Sequence, residues 1–381
     1  MTTTQQGVLT LVKSALTGAP VTLPEGFDWP AAANILIRQG LSALGYAGAA
    51  LCGIPEEDSF LIKMQDKYCM EFVRSERQIY RLTCFYQAME EQKLPYMPVK
   101  GAVMKALYPA PEMRNMGDAD ILIHPEHKAQ IATIMEKLGY EFCSESDHEW
   151  NWFCGDLKME LHKRLVSSDE KTYYGYFGDG WKWAKLQEGC RYTMSQEDAF
   201  IFEFSHFTRH YCKGGIGLRH MIDLWVHLDK AENMDMTYVR AAMAQMRLGK
   251  FFENVLQTLQ AWFDGGESNS CTDYITEFVF GGGTVSHNCE IAESATLSGN
   301  EGNGKAKIFL RRVFPAQKHI DWNYPQYSKL PLPVAWVARW CSLLKKTDTL
   351  KRRSQSMKSV TDEKIDAYRN SLAKVGLEII E

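Results

Sequence analysis

The chain predicts an α+β protein, a small sheet set into a mostly helical polypeptide. Three observations carry this. Apolar residues recur at helical spacing up to about residue 93, period-two alternation is confined to residues 94–192, and residues 193–381 return to helical patterning. These ranges are the expected organisation: an N-terminal helical segment, an αβ core and a C-terminal helical domain. The N-terminal helices are divided by the Pro/Gly-rich "GAPVTLPEGFDWP". In "ERQIYRLTCFYQAMEEQKL", Ile79, Leu82, Tyr86 and Met89 lie on one helical face, and this helix delivers the chain to "PYMPVKG". There a strand is expected over residues 96–99 and a helix after Gly101. "DADILI" reads as the next strand, because its apolar residues favour β structure, Gly117 marks its start and Pro125 cannot continue a ladder. A helix across "PEHKAQIATIMEKLG" aligns Ile131, Ile134, Met135 and Leu138, with Gly139 at the C-cap position. In "LKMELH", Leu157, Met159 and Leu161 alternate with Lys158, Glu160 and His162. Ser195, three residues before Asp198, opens the C-terminal helices as an N-cap. The Gly/Ser/Asn-rich residues 281–304 read as a loop.

Composition narrows the function classes. A net charge of −4 over 381 residues gives no global affinity for nucleic acid or anionic membrane. Ten cysteines without a C-x-x-C pair exclude a zinc ribbon and read as reduced thiols of a cytoplasmic protein. "MTTTQQGVLTLVKSAL" lacks the basic and long apolar regions of a signal peptide. The apolar "LPLPVAWVARWCSLL" is interrupted by Pro331, Pro333 and Arg339, so it reads as a buried helix, not a membrane span.

The chemistry starts at "RNMGDADILIHP". On a strand Asp118 and Asp120 share one face, with Cα atoms about 6.5 Å apart. At an effective dielectric near 20, two such charges about 4 Å apart cost on the order of 4 kcal/mol, so a cation between them is the simplest remedy. An exposed edge strand with two solvated aspartates is the plainer alternative. Glu160 adds a third carboxylate on a polar strand face, although Lys158 and His162 on that face could merely pair with it. Three carboxylates converging from neighbouring strands cradle one or two Mg²⁺ ions, which favour carboxylates, waters and substrate phosphates.

"PYMPVKGAVMKALYPAPEMRNMGDADILI" followed by "LKMELHKRL" resembles the uncharacterised nucleotidyltransferase family of the polymerase-β-like superfamily. That family runs Lys-Gly after a strand, then Arg-x-x-Gly-Asp-x-Asp, then Glu-x-His on a later strand. "LRHMIDLW" and "FPAQKHIDWNYP" are similar as well. The resemblance implies a small mixed-sheet nucleotidyltransferase core and Mg²⁺-dependent transfer of a nucleoside monophosphate from an NTP to an unidentified acceptor, with pyrophosphate released. The acceptor is a small molecule, a protein or an RNA end, Mn²⁺ is a possible substitute metal, and no membrane partner is implied. Carried over, Asp118 and Asp120 ligate metal, Glu160 is the third carboxylate and orients or deprotonates an acceptor hydroxyl, and Lys100, Gly101, Arg114 and Gly117 handle the nucleotide. One departure is that better-characterised members place Gly-Ser or Gly-Gly closer to the aspartates, whereas seventeen positions separate Gly101 from Asp118 here. A catalytically idle nucleotide- or partner-binding regulator of the same fold is the alternative function. A metal-dependent phosphohydrolase is a third; it expects further metal ligands, while His124, His127, His148 and His162 lack ligand-like spacing.

Other features are read more plainly. "GNEGNGKA" (residues 299–306) has Walker A spacing, but Ala306 stands where a Ser or Thr would bind Mg²⁺. His206 and His210, one turn apart, read as core or hydrogen-bonded histidines, and Arg219 and Asp223, at i,i+4, as an ion pair in the helical domain, with support of the active-site wall as the alternative. The basic residues 345–353 read as a solvated helix face, and the aromatic "DWNYPQY" as core.

Overall fold

The computed structural model describes residues 1–54, 58–213 and 215–281, together with 310, 313–317, 320, 324–344 and 361–378. Four helices come first: α1 (Thr3–Thr17), α2 (Trp29–Arg38), α3 (Ser42–Leu51) and α4 (Ser59–Glu91). The Pro/Gly-rich break falls between α1 and α2. There Asp28 caps α2 by accepting from the Ala31 N–H, and Pro30 sits in the first turn, where a missing N–H costs nothing. A Cβ on Gly48 of α3 would stand 2.1 Å from the Leu11 carbonyl oxygen of α1, so this close crossing requires glycine. The helix expected over residues 76–94 is the second half of α4. It starts much earlier because neither Gly nor Pro interrupts the chain from Ser59 onward.

The sheet has seven strands: β1 (Tyr96–Val99), β2 (Asp118–Ile123), β3 (Glu141–Glu145), β4 (Glu149–Cys154), β5 (Leu157–His162), β6 (Lys185–Glu188) and β7 (Arg191–Thr193), in the order β3-β4-β5-β2-β1-β7-β6. It is mixed, since β2 runs parallel to β5 and β1 to β7 while the other neighbours are antiparallel. The three strands expected around residues 96–99, 118–123 and 157–162 are present. The other four were not foreseen. β3 and β6, at the two edges, are exposed almost throughout and show no apolar alternation to read. Short α5 (Gly101–Met104) follows β1, α6 (Lys128–Lys137) follows β2 and α7 (Lys171–Phe177) follows β5.

One sheet face is apolar. Ala119, Ile121 and Ile123 of β2 and Leu157, Met159 and Leu161 of β5 pack on Leu82, Phe85 and Met89 of α4 and on Ile131, Ile134 and Met135 of α6. Fully burying one such side chain is worth about 1.5–3 kcal/mol, so this face fixes the register, and a slip by one residue would bury Asp120 in its place. The opposite face carries Asp118, Asp120, Glu160 and His162. It faces α8 (Gln196–Lys213) and α9 (Leu218–Lys230), and α10 (Met236–Gln245), α11 (Gly249–Phe263) and α12 (Ser270–Phe280) follow. These helices form a second core with α1 to α3 and with Met97, Val99 and Leu122 of the sheet. The predicted N-cap of α8 is present, with Ser195 Oγ accepting from the Asp198 N–H at 3.1 Å.

Two further helices are Leu332–Leu344 and Asp362–Lys374. The first was expected to be buried, yet only one side is: Ala335 and Arg339 are buried, whereas Val334 and Val337 are 50% and 53% exposed. No helix among the described residues is long and apolar enough to cross a membrane. Residues 282–304, the Walker-like residues 299–306, the basic residues 345–353 and part of "DWNYPQY" lie outside the described residues.

Candidate active site

Register positions the carboxylates. Across the parallel β2–β5 pair Asp120 stands opposite Glu160, and Asp118 opposite Lys158. On the other side of β2, Val99 pairs with Asp120, so Lys100 leaves β1 beside that carboxylate and its Nζ lies 2.6 Å from Asp120 Oδ1. Lys100 holds φ at +48° and ψ at −121°, a conformation side chains rarely adopt, costing about 1–3 kcal/mol and most often tolerated where a site demands it. Gly101 lets the backbone approach Arg114 closely: a Cβ there would meet Arg114 Nη1 at 2.8 Å, so that guanidinium would have to shift. Glu160 is ion-paired with Lys158. His162 brings Nε2 to 2.8 Å from Asp120 Oδ1 and 3.6 Å from Glu160 Oε2.

These groups open into a cleft of about 60 Å³ whose lining includes Lys100, Gly101, Arg114, Gly117, Asp118 and Asp120 on the sheet side. The helical side supplies Glu203, His206 and Phe207 from α8 and Arg219, His220 and Asp223 from α9. Glu160 is not part of that lining; it adjoins the cleft through Asp120.

The expected Arg219–Asp223 ion pair is not made. Asp223 instead takes a bidentate pair from Arg114, with Nε to Oδ1 at 3.1 Å and Nη2 to Oδ2 at 3.0 Å, and accepts from the Tyr108 hydroxyl at 2.7 Å. Helical spacing proposes a local partner, but the fork geometry of Arg114, reaching from the segment before β2, wins. Arg219 is left with one hydrogen bond, from Nη1 to the Asn115 carbonyl at 3.1 Å, while its buried Nε has no partner among the described residues. Burial and the neighbouring Arg114 charge both lower the Arg219 pKa.

The electrostatics of the two aspartates diverge. Burial pushes the Asp118 carboxyl up, and the Asp120 and Glu160 charges push it further. Burial would raise Asp120 as well, but Lys100 and His162 hold it well below the usual carboxylate range. Opposite them the histidines are neutral: burial and the Lys100 charge depress His206 well below its ordinary value and His210 to about 4, and burial and Arg219 take His220 to about 3. His206 and His210 stack edge-on at 4.4 Å, with His206 Nδ1 buried and unpartnered among the described residues. They were expected to be core or hydrogen-bonded; His206 instead faces the cleft. Asp120, Glu160 and His162 each offer a ligand atom, all within 4.8 Å of one another, with Asp118 on the same face of β2, a donor set that could hold a divalent cation.

A family model described as an uncharacterised nucleotidyltransferase matches residues 25–264. The chain belongs to that family. Nucleotidyl transfer is therefore the activity class of this nucleotidyltransferase. No curated protein matches it. Two solved structures of the antibiotic-resistance factor ANT(2″)-Ia are similar, one in solution and one a crystal complex with adenylyl-2″-tobramycin. They share 15% and 14% identity at TM-scores of 0.35 and 0.34, over 45% of this chain and 92% and 97% of theirs.

Sequence reasoning offered His162 as a partner of Glu160, 3.6 Å away in the structure, but missed its contact with Asp120; it missed Glu203 and His220, and read Arg219 as an ion-pair partner of Asp223, with support of the site wall as the alternative. The "ELH" alternation already put His162 on the carboxylate face. Nothing in the sequence announced that α8 and α9 would close over that face.

Proposed function

We propose that the protein transfers a nucleoside monophosphate from a Mg²⁺-bound NTP to an acceptor hydroxyl and releases pyrophosphate. The observation that carries this reading is the β2–β5 register, which gathers Asp118, Asp120 and Glu160 beside a cleft whose other wall offers Arg219. Asp118 and Asp120 hold the metal, and Mn²⁺ suits the same oxygen donors. When bound, the ion neutralises phosphate charge as it shifts toward the leaving group. Lys100, Gly101, Gly117 and Arg219 surround the phosphates, with Arg219 supplying the donor left over in the cleft. Arg114 acts through Asp223, anchoring α9 so that Arg219 faces the sheet. Glu160 orients the acceptor hydroxyl or takes its proton as the oxygen attacks the α-phosphorus. The bond to the β-phosphate then breaks, with its electron pair leaving on pyrophosphate.

Melting with Mg²⁺ and each NTP tests the proposal without knowledge of the acceptor. Ligand at 100 times its dissociation constant adds about 2.7 kcal/mol to stability. A shift in melting temperature is expected that needs both metal and nucleotide, disappears in Asp118→Asn/Asp120→Asn, and requires roughly 10-fold more nucleotide in Arg219→Gln, the loss of about 1.4 kcal/mol. No shift with any NTP in the folded wild type would overturn it and favour a partner-binding regulator.

A further inference from the structure

We propose a transition-metal site, suited to Zn²⁺, formed by His148, Glu149 and His162 behind the carboxylates and joined to them through the His162 ring. Each of the three offers one ligand atom, and all of these lie within 4.8 Å of one another. The antiparallel β4–β5 pairing creates the cluster by setting Glu149 opposite His162 and His148 just before it. This is convergence across strands that histidine spacing could not reveal.

His162 supplies the second, independent observation. Its side chain is only 1% exposed, and Nε2 is engaged by Asp120 at 2.8 Å, yet Nδ1 is buried with no hydrogen-bond partner among the described residues. A buried ring nitrogen left unpaired is costly, and such groups are rare unless something absent from the protein alone satisfies them. On the side of β5 away from Asp120, β4 sets Glu149 opposite His162, with His148 one residue before it. His148 Nε2 and Glu149 Oε2 lie 3.1 Å apart, the two imidazoles are 5.8 Å apart, and the side chains of His148 and Glu149 are partly open, at 21% and 16%, so that an ion and a water can reach them. Asn151 Nδ2 donates to Glu149 Oε1 at 3.2 Å, and Ser146 Oγ lies 3.4 Å from His148 Nδ1, supports that leave His148 Nε2 and Glu149 Oε2 for the ion.

Two imidazoles and one carboxylate with an open fourth position are a zinc donor set, whereas Mg²⁺ seeks oxygen. A metal on Nδ1 would fix the proton on Nε2, directed at Asp120, the histidine–carboxylate arrangement that commonly backs a metal-bound imidazole. The site therefore sets the tautomer of His162 and with it the orientation of Asp120.

The test is a Co²⁺ titration of the metal-stripped full-length protein, followed by visible absorption and equilibrium dialysis. Expected is about one equivalent with a nitrogen-ligated Co²⁺ spectrum, displaced by Zn²⁺. Binding should weaken in His148→Ala and Glu149→Gln by at least the roughly 10–100-fold that even an outer-shell partner costs, and persist in Asp118→Asn. If His148→Ala fails to fold, Glu149→Gln decides alone. Absence of the spectrum in wild type, equal binding in these variants, or loss in Asp118→Asn alone would overturn the site.

Discussion

The cleft wall made by β2, with Glu160 of β5 behind it, collects its carboxylates within a single hydrogen-bonded register, whereas the wall made by α8 and α9 assembles Arg219, His206 and His220 from two helices held by a distant anchor. The first wall is local: once the strands pair, Asp120 must face Glu160. The second depends on Arg114, before β2, gripping Asp223 on α9 with Tyr108 as a third member. The two walls should fail differently. Arg114→Ala would leave the Asp223 charge buried, and breaking such a pair costs about 3–5 kcal/mol. Urea denaturation should reveal that loss, while Arg114→Ala/Asp223→Leu, which removes both charges, should recover much of it. A loss below about 1 kcal/mol in the single variant would mean that the helical wall needs no anchor.

Within the sheet wall the comparison sharpens to two neighbours. Asp120 is embraced by Lys100 and His162, while Asp118 is raised by burial and by the Asp120 and Glu160 charges, and no side-chain hydrogen bond reaches it among the described residues. In chelator, Asp120→Asn should destabilise by about 2 kcal/mol, the scale of a hydrogen bond to a charged group. Asp118→Asn should be neutral or stabilising, since it removes a repelling charge. Equal destabilisation by both, measured by urea midpoint, would show that the two sites do not differ in the way their surroundings suggest.

The unequal legibility of the walls has the same origin. Strand alternation alone placed Asp118 and Asp120 on one face of their strand and Glu160 on the polar face of its own, because side-chain direction on a strand follows from position. It also placed β1, β2 and β5, whose apolar residues declare a buried face. The edge strands β3 and β6 have no buried face to declare. Arg219 and Asp223 were misread because i,i+4 spacing is the only partner information a helix displays locally, and the fork that captures Asp223 arrives from over a hundred residues away in the chain. His162 was legible as a partner of Glu160 on its own strand but not of Asp120 or Glu149, since those contacts come from register with β2 and β4.

The smallest expected effect separates the walls by pH. His210, in α8, has its pKa depressed to about 4 by burial and then by Lys100, Arg209, Lys213 and Arg219, whereas an unfolded histidine titrates near 6.5. Below about 6.5 the unfolded chain takes up a proton that the folded one refuses. Stability therefore falls as pH drops and levels off only near 4. Between pH 7 and 6 one such group accounts for less than about 1 kcal/mol, so the comparison must be made within the histidine cluster. His210→Gln should flatten the fall in urea midpoint between pH 7 and 5, leaving the part due to His206 and His220, which are depressed in the same direction. Asp120 contributes nothing to that window, because Lys100 and His162 hold it ionised to far lower pH. If His210→Gln left the slope unchanged while Asp120→Asn flattened it, acid sensitivity would belong to the carboxylate wall and the assignment of neutral histidines to the helical wall would be wrong.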